Sequence, residues 1–247
     1  MKFKDLFSGH SDLYVRARPH YPDPLFDWIA AEAPATSCAW DAGCGNGQAS
    51  VALAARFKKV IATDPSEKQL GNAAANPRID YRNEAAEHTT IEDRSVDAVT
   101  IAQALHWFDI EAFSGEVRRV ARPGALFAAW CYANCSVTPP VDAVIAHLYE
   151  DILGTYWSPE RKLVDEGYAS LALPFASVEM PAFEMRVEWN LPQLLAYLTS
   201  WSAAQKYLKA TGEDAVASVA EELAAAWHEP EHVRPVRWTL GLRAGRV

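Results

Sequence analysis

A glycine-rich loop at residues 41–47 constrains the fold of this chain more than any other segment. Its sequence is Asp-Ala-Gly-Cys-Gly-Asn-Gly, with Gly43, Gly45 and Gly47 between a short apolar run and a helical pattern. Glycine permits positive φ and has no Cβ, so the main chain can approach a ligand closely. Asp64 ends the next apolar run, where a carboxylate can accept hydrogen bonds from a ribose diol. The pattern predicts a nucleoside-binding crevice at the carboxyl edge of a parallel sheet.

The loop lacks the elements that bind a pyrophosphate. A dinucleotide fingerprint requires Gly-x-Gly-x-x-Gly, whereas here the third glycine comes one residue early and position 48 is glutamine. No Gly-Lys-Ser or Gly-Lys-Thr follows, as a phosphate-cradling loop would require. Asp41 at the head of the loop would repel a pyrophosphate, but it suits a cationic nucleoside that carries an amino acid.

Several motifs together resemble one enzyme family. The run Asp-x-Gly-x-Gly-x-Gly, with Asp64 17 positions after Gly47, resembles class I S-adenosylmethionine-dependent methyltransferases. The Tyr-x-x-x-Arg-Pro-x-Tyr-Pro segment at 14–22 and the Gln-Ala-x-His-Trp-Phe-Asp segment at 103–109 are most similar to the small-molecule branch that includes trans-aconitate methyltransferases. The resemblance is dense over residues 8–132 and loose elsewhere.

The resemblance implies both a fold and a reaction. The expected fold is α/β, a Rossmann-like class I methyltransferase sheet, mostly parallel with an antiparallel last strand, with helices on both faces and a helical cap insertion. The implied cofactor is S-adenosyl-L-methionine, with S-adenosyl-L-homocysteine as product. The implied reaction is in-line displacement of the methyl group onto a small-molecule acceptor, at an oxygen of a carboxylate or a hydroxyl, and it needs few dedicated catalytic side chains.

The chain is predicted to form a single methyltransferase domain over 1–247. Its parts are an N-terminal lid and first helix (1–36), a cofactor-binding core (37–132), a helical cap or substrate region with one sheet strand (133–235) and a final strand (236–247). Alternating strand and helix patterns in the core predict a parallel sheet with helices on both faces. Strands are predicted at 38–41, 60–64, 80–82, 98–102, 125–131, 183–189 and 236–243, and helices at 24–32, 48–57, 67–75, 110–120, 138–153, 159–171, 191–209 and 213–227.

Cofactor contacts are predicted from these motifs. In the resembled family the loop backbone lies against the methionine part, and the acidic residue after the second strand holds the ribose. The segment after the third strand contacts the adenine, often with a carboxylate or amide; the Ala85-Ala86 pair departs from this, but small residues suit recognition of the base by backbone groups. An N-terminal lid can add an arginine contact. The predicted cofactor-binding residues are Tyr14, Arg18, Asp41, Gly43, Cys44, Gly45, Gly47, Asp64, Pro65, Ala85, Ala86 and Gln103.

The acceptor side is predicted from the segment after the fourth strand. It lacks the Asn-Pro-Pro-Tyr typical of enzymes that methylate amino groups of nucleic bases or glutamine, which favours another small-molecule nucleophile. His106 is the candidate catalytic residue, either as a general base for a hydroxyl or as a hydrogen-bond donor only. The predicted substrate-side residues are Tyr21, His106, Trp107 and Trp201, with Arg18, Arg161 and Lys206 as candidate cations for an acidic acceptor.

Composition limits the remaining possibilities. The net charge of −9, without a basic stripe, argues against nucleic-acid binding. No apolar run approaches the about 18 residues of a membrane span, so a cytoplasmic protein without membrane association is expected, as a monomer or homodimer. No metal is expected, because no ligand cluster with suitable spacing lies near the crevice. The four cysteines form no Cys-x-x-Cys pair and are expected to be buried thiols.

Two other classes of function stay open on the sequence. One is a non-catalytic S-adenosylmethionine-binding or regulatory protein, which would keep the crevice without the chemistry. The other is an NAD-dependent oxidoreductase on a similar sheet, against which the misplaced third glycine counts.

Overall fold

An eight-stranded mixed sheet organises the chain in this computed structural model, which describes residues 19–247. The strand order is β3-β2-β1-β4-β5-β8-β6, and β7 also pairs with β8. The first five strands pair in parallel, whereas β8 runs antiparallel to β5, β6 and β7. The strands are β1 (Cys38–Ala42), β2 (Lys59–Thr63), β3 (Ile79–Arg82), β4 (Val96–Ala102), β5 (Ala121–Tyr132), β6 (Ala176–Ser177), β7 (Glu184–Trp189) and β8 (Arg234–Arg246).

The strand order reverses between β1 and β4. The chain runs outward from β1 through β2 to β3, and then returns to β4 on the other side of β1. At such a switch point the loops after the two central strands diverge to opposite faces and leave a crevice between them. The glycine loop follows β1 and Gln103 follows β4, so both border this crevice.

Helices flank the sheet, and two of those in the core begin at side-chain caps. Asp109 accepts a hydrogen bond from the Ala112 backbone N–H (3.1 Å), and Ser66 accepts one from the Gln69 N–H (3.3 Å). The helices are α1 (Asp23–Glu32), α2 (Gln48–Ala54), α3 (Glu67–Gly71), α4 (Ile110–Val120), α5 (Pro139–His147), α6 (Arg161–Asp165), α7 (Leu191–Thr199), α8 (Ser202–Thr211), α9 (Ala215–Ser218) and α10 (Ala220–Trp227). Short 3₁₀ turns cover Leu105–Trp107 and Gly154–Tyr156, and a π turn covers Leu148–Ile152.

The region 133–235 differs from the sequence prediction in four ways. The single helix predicted over 191–209 is two helices, because Trp201 has extended backbone (φ −64°, ψ 137°). This break lets the Trp201 ring, 4% exposed, pack among other aromatic rings. The helix predicted over 213–227 is also broken, and the one predicted over 159–171 shortens to α6. The region contributes two strands, β6 and β7, where one was predicted.

The last strand is longer than predicted and pairs with three other strands. Its first half, Arg234–Thr239, pairs with β7, and its second half, Leu240–Arg246, pairs with β5. At Gly245 and Arg246 it also pairs with β6 on the side away from β5. The predicted antiparallel direction of the last strand is confirmed.

Two apolar cores cover the two faces of the sheet. Side chains alternate along β5: Leu126 and Trp130 belong to one core, and Phe127 and Cys131 belong to the other. The first core also contains Leu194 of α7 and other side chains of the late helices, so the region after β5 packs directly on the sheet. All four cysteines are buried as free thiols. Within residues 19–247 no helix has the length and hydropathy needed to cross a membrane.

Candidate functional site

A cavity of about 480 Å³ opens where the loops after β1, β2 and β4 meet the helices of the region 133–235. Its volume lies in the range of about 300–1,000 Å³ typical of small-molecule sites. It brings together twelve of the predicted site residues: Tyr21, Gly43, Cys44, Gly45, Asp64, Pro65, Ala85, Ala86, Gln103, His106, Trp107 and Trp201. The predicted residues Asp41 and Gly47 do not line it, and Tyr14 and Arg18 lie outside the described residues.

The three loop glycines all have positive φ, but for different structural reasons. A Cβ on Gly43 (φ +67°) would lie 2.7 Å from the Ala104 Cβ, and one on Gly47 (φ +80°) would lie 2.9 Å from Cε1 of Tyr81. A Cβ on Gly45 (φ +56°) would meet nothing within 4 Å. Gly43 and Gly47 therefore permit close packing of the loop, whereas Gly45 presents bare backbone to the cavity.

Asp64 is held rigidly at the end of β2. Its Oδ2 accepts a hydrogen bond from the Gly45 N–H (2.8 Å), and its Oδ1 accepts one from the Ser66 N–H (2.9 Å). The side chain is almost buried and lines the cavity. Each carboxylate oxygen has further lone-pair capacity. The two carboxylate oxygens of Asp64 are thus hydrogen-bond acceptors with a fixed orientation, which suits the two hydroxyls of a ribose.

Asp41 does not lie where the sequence predicted. Its side chain is 0% exposed, and it accepts hydrogen bonds from the hydroxyls of Ser50 (2.6 Å) and Thr100 (3.3 Å). Burial raises the pKa of Asp41 to about 7, against the opposing effect of these two hydrogen bonds. Side chains alternate between the two faces along β1, and Asp41 lies on the face that α2 covers, since Ser50 belongs to that helix. Asp41 therefore ties β1 to α2 and β4 beneath the loop.

Gln103 has an uncommon backbone conformation at the end of β4. Its φ is +57°, which is rare for a residue with a side chain and concentrates at functional sites. The side-chain amide pairs with the backbone of Tyr132: Nε2 donates to the carbonyl (2.9 Å), and Oε1 accepts from the N–H (2.9 Å). Gln103 thereby fixes the ends of β4 and β5 beside the cavity.

His106 lies on the 3₁₀ turn that follows Gln103, and it is neutral at physiological pH. Its Nδ1 is 2.9 Å from the hydroxyl of Tyr168, a fully buried side chain. Burial, and then the charge of Arg161, lower the pKa of His106 to about 3. A general base works best with a pKa near the working pH. The structure therefore favours the second of the two predicted roles, hydrogen bonding without proton removal.

Aromatic and polar side chains of the region 133–235 close the far side of the cavity. Trp201 and the candidate cation Arg161 were both predicted here, and the structure adds Trp157. Of the other two candidate cations, Lys206 does not line the cavity and Arg18 lies outside the described residues. Lining residues that sequence reasoning did not assign to the site are Asn46, Gln48, Ala49, Ser66, Gln69, Glu87, Ala102, Ala104, Phe108, Tyr132, Ala133, Trp157, Ser158, Glu160, Tyr197 and Ser202.

Comparison with known proteins agrees with this geometry. The family described as a methyltransferase domain matches residues 40–129. A Dictyostelium discoideum protein named as a methyltransferase is 34% identical over 230 residues, which is 92% of this chain and 88% of that protein. A solved structure from Anaeromyxobacter dehalogenans, described as a type II methyltransferase, is 46% identical with a TM-score of 0.88 and covers 93% of this chain and 97% of its own. The Bacillus subtilis YcgJ structure, 15% identical with a TM-score of 0.51, shares the fold.

The sheet order, the glycine loop at the switch point and these relatives define a methyltransferase of Rossmann-like fold. The chain belongs to the class I S-adenosylmethionine-dependent methyltransferases. The predicted fold class and enzyme class are confirmed, and the oxidoreductase alternative is set aside.

Proposed function

We propose that the protein methylates an oxygen of a small molecule, with S-adenosylmethionine as donor. The observation that carries the proposal is the extent of the cavity. Its lining includes Gly45 and Asp64 of the core as well as Trp157 and Trp201 of the region 133–235, so one cavity has room for a donor and an acceptor side by side. When bound, S-adenosylmethionine supplies an electrophilic methyl group on a positively charged sulfur.

The donor end of the cavity has the groups that such a cofactor requires. Gly45 offers backbone without a side chain, and Asp64 offers an oriented pair of acceptors for ribose hydroxyls. Ala85 and Ala86 leave space for a flat base, with the Glu87 carboxylate beside them. These acidic groups at the donor end suit a cofactor that carries positive charge. The fit supports the predicted cofactor.

The acceptor end favours a group that is already ionised. A hydroxyl acceptor needs a base, and a histidine with a pKa of about 3 is poorly matched to that task. A carboxylate carries its negative charge without proton transfer. Alignment in a water-poor pocket can then supply much of the rate, about 7–11 kcal/mol in well-oriented reactions. We therefore place a carboxylate ahead of a hydroxyl as the acceptor.

The donor assignment is tested by calorimetric titration with S-adenosylhomocysteine. Asp64→Ala removes the charged acceptor of the ribose hydroxyls, so its Kd is expected to rise about 10- to 150-fold. Asp27→Ala is the matched control, because Asp27 is an exposed carboxylate paired with Arg56 on the outside of α1. Thermal melting confirms that both variants are folded. Equal Kd values for wild type and Asp64→Ala would contradict the assignment.

The acceptor assignment is tested with methyl-labelled donor. Carboxylic acids and the alcohols of matching carbon skeleton are compared for labelled ester or ether and for S-adenosylhomocysteine. Esters are expected from the acids. Ethers from the alcohols, with no ester from any acid, would contradict a carboxylate acceptor.

A further inference from the structure

Arg161 lies in the acceptor half of the cavity with a fixed orientation. Its Nε donates to the Tyr149 hydroxyl (2.8 Å) and to Oδ1 of Asp165 (3.0 Å). The guanidinium stacks over the ring of Trp157, with its Cζ 4.7 Å from the ring centroid, and over Tyr149 at 5.3 Å. The side chain is 18% exposed. These contacts immobilise the guanidinium before any ligand arrives.

The terminal nitrogens of Arg161 are the donors that remain for a ligand. All its hydrogen bonds within residues 19–247 use Nε, and neither Nη1 nor Nη2 bonds to a described residue. Two adjacent Nη groups present a fork that matches the two oxygens of a carboxylate. Because Arg161 lines the cavity, that fork is available from inside it.

Arg161 is close to the position where methyl transfer takes place in the proposed function. Its helix, α6, packs against the 3₁₀ turn that carries His106. The charge of Arg161 acts on the His106 ring, whose protonation it disfavours. An anion held by Arg161 therefore lies beside the end of β4.

The rest of the lining restricts the charge and shape of the acceptor. Among the described residues that line the cavity, Arg161 is the one cationic side chain, since His106 is neutral. Glu160 also lines the cavity, so a second anionic group on the acceptor would meet a carboxylate and no second described cation. Trp157 and Trp201, with ring centroids 5.6 Å apart, offer an apolar surface instead.

We propose that Arg161 binds the acceptor's carboxylate and that the acceptor is a monoanionic acid with an apolar or aromatic body, which lies against Trp157 and Trp201. The inference rests on the proposed function and names its substrate class. One carboxylate oxygen forms the new bond to the methyl carbon while the carbon–sulfur bond breaks and its electron pair stays on sulfur. The ester is neutral, so it loses its attraction to Arg161 and leaves.

The test uses the full chain saturated with S-adenosylhomocysteine and calorimetric titration of matched probes. The probes are phenylacetate, indole-3-acetate and octanoate, each beside its primary amide, with citrate as a trianionic probe. Wild type is expected to bind at least one of the three acids, and to bind it at least about tenfold more tightly than its amide and than citrate. This comparison needs no variant, so it stands even where a substitution disturbs folding.

Two variants assign the effect to Arg161. Arg161→Gln is expected to weaken binding of the preferred acid about 10- to 150-fold and to leave amide binding nearly unchanged. Lys162→Gln removes the same charge from the next position of α6, where the side chain is 80% exposed and pairs with Glu166, and it is expected to behave as wild type. Both variants are also titrated with S-adenosylhomocysteine, whose affinity is expected to stay within about twofold.

The outcomes separate this inference from the proposed function. If S-adenosylhomocysteine binds but no acid does, or if acid and amide bind equally, or if citrate binds most tightly, the inference is overturned and the donor assignment stands. An equal loss of acid binding in Lys162→Gln and Arg161→Gln also overturns it. If S-adenosylhomocysteine itself fails to bind, the proposed function falls, and this inference falls with it.

Discussion

Asp41 gives the fold a pH dependence that one substitution isolates. The carboxyl is 0% exposed beneath the glycine loop, and burial raises its pKa from 3.8 to about 7. Between these two values the folded chain binds the proton more tightly than the unfolded chain does. The free energy of unfolding therefore falls as pH rises from about 4 to 7. In this range the carboxyl of the unfolded chain has lost its proton, so folding must either bury a charged carboxylate or take up a proton. This direction is opposite to that of a carboxylate in a salt bridge.

The magnitude follows from the two pKa values. Proton linkage gives a total loss of about 4 kcal/mol, of which about 3 kcal/mol falls between pH 5 and pH 8. Asp41→Asn cannot ionise, and its amide can still bond to the hydroxyls of Ser50 and Thr100. Relative to wild type, the free energy of unfolding of the variant is therefore expected to rise by about 3 kcal/mol between pH 5 and pH 8.

The assay is reversible urea unfolding of wild type and Asp41→Asn at pH 5 and pH 8. The difference between variant and wild type cancels every other ionisable group, including His106, whose lowered pKa makes wild type lose stability as pH falls below 6.5. Asp27→Asn is the exposed control, with a side chain 65% exposed. The reasoning is refuted if the variant-minus-wild-type difference is the same at both pH values, or if it changes in the opposite direction.

Two further predictions test the loop and the histidine. Gly43→Ala is expected to lower the free energy of unfolding by about 1 kcal/mol or more beyond the loss in Gly45→Ala. Both positions have positive φ, but only the Gly43 substitution places a Cβ 2.7 Å from the Ala104 Cβ. Equal losses in the two variants would contradict this reason. His106→Gln is expected to leave the shape of the pH–kcat profile between pH 6 and 8 unchanged, because the histidine is neutral throughout that range. If wild type shows an inflection near pH 6.5 that disappears in the variant, His106 acts as a base.

The features that sequence could predict are those set by local patterns. The bounds of α4 match the prediction over 110–120, because Asp109 caps its first turn and the apolar period is clear. The loop with Asp64 was found from glycine spacing and strand ends alone. Both features depend on residues that are near neighbours in the chain.

The acceptor side depends on contacts between distant parts of the chain, and sequence predicted less of it. Trp157 and Arg161 reach the cavity because α6 packs against the turn after β4, a contact across more than 50 positions that no local period encodes. Asp41 was misplaced for a related reason. Its charge suggested a ligand contact, whereas its side chain lies on the face of β1 that α2 covers and bonds to Ser50 of that helix. The predicted roles of Tyr14 and Arg18 stay predictions.

The length of β8 limits how this enzyme can be re-engineered. One half of the strand pairs with β7 from the cap, and the other half pairs with β5 from the cofactor core. The late helices also share an apolar core with one face of the sheet. The region 133–235 therefore cannot be exchanged on its own between residues 132 and 235. Such an exchange would disrupt both the strand pairing of β7 with β8 and the apolar core that the late helices share with the sheet. A chimera that changes acceptor preference has to carry β7, the whole of β8 and the facing side chains of β5 as one block.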